Sequence, residues 1–106
     1  MRAEREAVQE AVDQVWVMTV RCIEELRALQ VMAKSSLTLS VIDSISQRLE
    51  PLRSELDQLV KSTSESRFDG ALEQAAHLER HLRAVLDELD SARTQDVITF
   101  FIFHLT

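Results

Sequence analysis

The sequence predicts an all-α protein: an elongated antiparallel three-helix bundle of coiled-coil character, with a short apolar C-terminal fourth element. Three observations lead there. The 106 residues include one glycine, one proline, no tyrosine and no asparagine, so the residues that turn a sheet are missing. Apolar residues recur by fours and threes along three long stretches, the stripe of a helix that packs along its length. The two connections between those stretches are short, which makes neighbouring helices antiparallel.

The first helix is expected over about 3–33. Its seam reads Val8, Val12, Val15, Thr19, Cys22, Leu26, Leu29, and Trp16, Val20 and Ile23 widen it beyond a two-stranded stripe. Glu4, Glu6 and Glu10 crowd its start and Lys34 its end, in agreement with the helix dipole. The second helix is expected over about 40–62, with Ser40 and Asp43 as a capping pair and a seam of Ile42, Ile45, Leu49, Leu52, Leu56, Leu59. Pro51 lies inside that run and removes one backbone hydrogen bond. Because Leu49 and Leu52 keep the register across it, the reading is one helix bent near Gln47 to Pro51, not two helices.

"STSES" (62–66) reads as the linker to a third helix over about 67–93, with Ser66 and Asp69 as its caps. The seam there is Ala71, Ala75, Leu78, Leu82, Val85, Leu89, Ala92. Gly70, the only glycine, is expected in its first turn. Helices of about 35 to 45 Å overrun a compact globule of this length, so a single rod-shaped domain over 1–106 is expected.

"DVITFFIFHLT" (96–106) changes character. It holds Phe100, Phe101 and Phe103, three of the four phenylalanines. Asp96 can cap a short helix from Val97, although β-branched and aromatic content also favours an extended form. Apolar side chains all round it predict an element folded back over the bundle end or inserted into a partner's groove. A further reading takes the change in composition after Arg93 as a domain boundary or a non-native ending.

Charge and length exclude several functions. Twelve basic against eighteen acidic residues, net −6, offer no clustered surface for nucleic-acid phosphates. No run approaches the ~20 apolar residues of a membrane span. "MRAE" begins no secretory signal, and the single Cys22 forms no internal disulfide, so a cytoplasmic protein is expected.

Candidate chemistry is sparse. "HLERH" sets His77 and His81 four residues apart with Glu73 a turn earlier, a spacing that can hold zinc. Only His104 remains to complete such a shell, and the order is not H-E-x-x-H, so these are read as rim histidines and no metal or other cofactor is expected. "AAHLERHL" (75–82) resembles the helix-borne histidine of phosphotransfer bundles in its alanine and histidine, but lacks the Lys-Gly that usually follows. Cys22 reads as a buried thiol, Trp16 as core before ligand pocket, and the serines as caps and connectors.

The segments "LEPLRSELDQL" and "ALEQAAHLERHL" resemble helices in small coiled-coil subunits of organelle-positioning and lysosome-related-organelle complexes, over about a third of the chain. Syntaxin-type three-helix domains are similar in architecture. The function expected is non-enzymatic: a helical protein–protein interaction module, a subunit or adaptor whose partners are helices of its own kind or of another chain. Val97, Phe100, Phe101, Phe103, Trp16, Leu56 and Leu82 are the candidate contacts. The alternative is a small regulatory bundle, phosphotransfer or metal-binding, working through His77 and His81.

Overall fold

A computed structural model describes residues 2–105, Arg2 by its backbone alone. Three helices follow one another: α1 (Arg2–Met32), α2 (Ser36–Ser64) and α3 (Ala71–Leu105). Among the described residues there is no strand. The helices pack pairwise into a rod of 64 × 20 × 18 Å, with a radius of gyration of 17.1 Å against about 13 Å for a compact chain of this size.

The core is the three predicted seams. Val8, Val12, Val15, Cys22, Leu26 and Leu29 of α1 meet Ile42, Ile45, Leu49, Leu56 and Leu59 of α2. Ala71, Ala75, Leu78, Leu82, Val85, Leu89 and Ala92 of α3 close the triangle. Thr19 sits in a buried seam position because its hydroxyl donates to the Val15 carbonyl at 2.8 Å, so that hydroxyl is not stranded. Burial of each larger side chain contributes roughly 1.5–3 kcal/mol in transfer terms, and the regular spacing makes those contributions continuous along the rod.

α2 passes through Pro51 as a single helix, as the unbroken register requires. Gln47 and Pro51 both lie on the exposed face, where water can take the carbonyl that proline leaves free. The helix starts at Ser36, four residues before the expected boundary. Ser35 is its N-cap, with extended backbone and a hydroxyl that accepts from the Leu37 N–H at 3.2 Å. Ser40 and Asp43 therefore lie inside the helix and cap nothing.

The α2–α3 connection also departs from expectation. Ser62 to Ser64 are helical, and the turn spans 65–70. Arg67 N–H donates to Ser62 O at 2.8 Å and Ser66 N–H to Thr63 O at 3.1 Å, a Schellman closure with Ser66 at the left-handed position, φ 61°. Gly70, at φ 71°, precedes the first turn of α3 and its carbonyl accepts from Gln74 N–H. Two left-handed residues so close together exclude a helix over 67–70, and neither Ser66 nor Asp69 caps α3 as expected.

The expected fourth element does not exist as a separate piece. α3 runs unbroken from Ala71 to Leu105, and residues 97–105 continue its axis. The segment contains no glycine or proline to stop the helix. Asp96 is no helix start; it occupies the seam position that follows Ala92.

Candidate interaction surface

The antiparallel order brings the end of α1, the start of α2 and the end of α3 to one pole of the rod. Asp96 fastens them. Its carboxylate accepts from Lys34 N–H at 3.2 and 3.3 Å and from Ser35 N–H at 3.0 Å, and the buried Thr38 hydroxyl also bonds it. Burial by itself raises the Asp96 carboxyl; the Thr38 hydroxyl, the two backbone N–H groups and the Lys34 charge outweigh it and hold the group below its ordinary value. A side chain of α3 thus caps the α1–α2 turn and the N-terminus of α2.

Beyond this cap, α3 continues for nine residues, about 13 Å at 1.5 Å per residue. Phe101 is 56% exposed, Phe103 74% and Leu105 82%. Phe100 is half-buried; its ring stacks on His104 at 4.0 Å, and Lys34 Nζ lies 5.4 Å from its centroid. Around the base of this overhang Val31, Met32 and Leu37 are also exposed. They belong to the turn that Asp96 fastens, and sequence reasoning passed over them. The signal was available: from Val31 to Ile42 Lys34 is the only charged residue, and Leu37 falls outside the seam.

The candidate contacts therefore separate. Val97, Phe100, Phe101 and Phe103 gather at the pole. Leu56 and Leu82, at 2% and 1% exposure, are core residues of this chain and lie away from that pole. Trp16, read first as core, is half exposed instead. It borders a cleft of about 180 Å³ between α1 and α2, lined by Thr19, Val20, Ile23, Arg53, Leu56 and Asp57. That volume falls below the roughly 300–1,000 Å³ of small-molecule sites.

His77 and His81 meet edge to face with ring centroids 4.4 Å apart, and Glu55 of α2 approaches His77 Nε2 at 3.9 Å. Among the described residues no three His, Cys, Asp or Glu side chains converge as a metal would need. Cys22 is fully buried, its thiol directed at the Leu82 carbonyl at 3.6 Å. Burial, helped by Glu25 and opposed by Arg21, pushes its pKa up to about 11, so it is a poor nucleophile. Also among the described residues, no helix is long and apolar enough to cross a membrane.

Against protein-family models, curated proteins and solved structures alike, the chain gives no significant match.

Proposed function

We propose that the protein is a non-enzymatic helical interaction module, a subunit or adaptor that joins a larger assembly by packing helices. The supporting observation is the apolar pole, where a helix projects past the cap of its own bundle with large side chains facing water. Monomeric proteins rarely expose contiguous apolar patches beyond about 300–600 Å² unless the patch is functional. A rigid rod supports such a site well, because the Asp96 cap fixes the projecting helix relative to both neighbours. A cytoplasmic location fits a chain whose single thiol is buried and unpaired.

The reading is tested by expressing tagged wild type and Phe101→Asp in the native cell and quantifying stoichiometric co-purification of both other proteins and untagged chain. Phe101 is exposed, so the substitution leaves the fold intact by circular dichroism. Loss of every stoichiometric companion in the variant supports the module. Companions retained unchanged, or none with the wild type, contradict it.

A further inference from the structure

We propose that a second copy of this chain covers the pole: two rods join tail to tail about a two-fold axis, their 97–105 helices antiparallel and side by side. This deepens the reading as an interaction module and rests on it. Three observations favour a second copy over other occupants.

The first is area. The exposed portions of Val31, Met32 and Leu37 at the base, with those of the projecting helix, amount over all sides to roughly 1,000 Å², taking about 150–250 Å² for each aromatic side chain and somewhat less for each aliphatic one. A partner helix along one side, with tip-to-base contacts at both ends, covers roughly 500–700 Å² of it, which reaches the small end of specific interfaces, about 600 Å² a side.

The second is charge. The chain carries net −6, and the α1–α3 flank is lined by Glu6, Glu10, Asp13 and Glu79 against the single Arg83. Two copies meeting along such flanks repel. At the pole, Lys34 is the only charged residue from 31 to 42, and Asp96, buried beneath the turn, is the only one besides His104 from 94 to 105. This is the surface on which like molecules meet without opposing charge.

The third is self-complementarity. A two-fold contact requires a patch that fits its own copy. Two projecting helices run antiparallel about a two-fold axis bring the Leu105 region of each beside the base of the other, where Val31, Met32 and Leu37 stand exposed. Each apolar tip finds an apolar base, and each helix covers one side of its partner. An anionic lipid surface fits less well, because it is recognised by clusters of several basic residues and the pole carries Lys34 alone.

Sedimentation velocity of the purified full chain, from low micromolar to several hundred micromolar, tests the proposal. The expected mass rises from 12.1 kDa to twice that value. Phe101→Asp sets two carboxylates into the two-fold contact, so its dimer dissociation constant rises at least tenfold. Val17→Asp, exposed on the flank and distant from the pole, dimerises as the wild type does. Both variants are checked for unchanged helicity. A wild type that stays monomeric throughout overturns the proposal, as does a Phe101→Asp protein that dimerises normally, or growth into open polymers. So does a monomer that floats with phosphatidylcholine vesicles, which makes lipid the occupant. If the wild type is monomeric but its cellular partners are lost in Phe101→Asp, the second copy is refuted and the interaction module stands.

Discussion

Removing the Asp96 carboxylate is the most informative single perturbation of the fold. It is 6% exposed and holds Lys34 N–H, Ser35 N–H and the Thr38 hydroxyl at once. A hydrogen bond to a charged group contributes about 1.5–3 kcal/mol. The Lys34 side of the turn is open to solvent, so water replaces part of what Asp96→Ala removes. A net loss of about 2–4 kcal/mol follows, a large share of a small domain's stability. At roughly 4–8 °C per kcal/mol for a domain of this size, Tm falls by about 10–30 °C. Asp96→Asn keeps an acceptor but loses the charge, and costs about half as much.

Acid titration adds an independent check. The folded carboxyl lies below its ordinary 3.8, so the unfolded chain takes up this proton first as pH falls. The stabilisation is complete above the unfolded value and disappears as pH drops from about 4 towards the folded value. Urea denaturation followed by circular dichroism, at neutral pH and through that acid window, measures both effects. The gap between wild type and Asp96→Asn should narrow in acid. An Asp96→Ala protein that melts with the wild type, or a gap that widens in acid, refutes the interhelical cap.

Other substitutions test the remaining parts. Leu82→Asp puts a carboxylate into a fully buried layer at a cost of several kcal/mol, and an unchanged melt would mean that the seam faces water. Ser66→Gly relieves a left-handed serine and should stabilise by about 0.5–1 kcal/mol. Gly70→Ala should destabilise by about 1–2 kcal/mol although no atom lies within 4 Å of the added Cβ; the opposite order in urea titrations would disprove the backbone of this turn. Cys22 should react with an aromatic disulfide reagent only at the rate of unfolding, and labelling of the native protein within the mixing time would contradict its burial.

Much of this fold is legible in the sequence because a heptad stripe fixes both the helix and its buried face. All three seams are where the apolar spacing puts them, and Pro51 is absorbed because Leu49 and Leu52 hold register on either side. Caps are less legible. Ser35, Ser36 and Ser40 offer the same chemistry, and only tertiary packing decides which of them faces the open N–H groups. Asp96 shows the limit most clearly. Its place after Ala92 continues the seam by four, but a carboxylate there is sensible only once the α1–α2 turn is known to lie opposite. The pole was half visible: the phenylalanines declared it, whereas Val31, Met32 and Leu37 join it only through the antiparallel fold. Conversely, Leu56 and Leu82 look like contacts in sequence because a seam for one's own core and a seam for a partner have the same spacing.

Amide hydrogen exchange of residues 97–105, measured over a series of protein concentrations, tests the central claim most directly. A helical stretch with little tertiary cover opens locally at small cost, so protection there reports what packs against it. If the pole is an interface between copies, protection rises with concentration towards that of residues 85–92 in the core. Exchange at unprotected rates at every concentration, with 85–92 still protected, would contradict it.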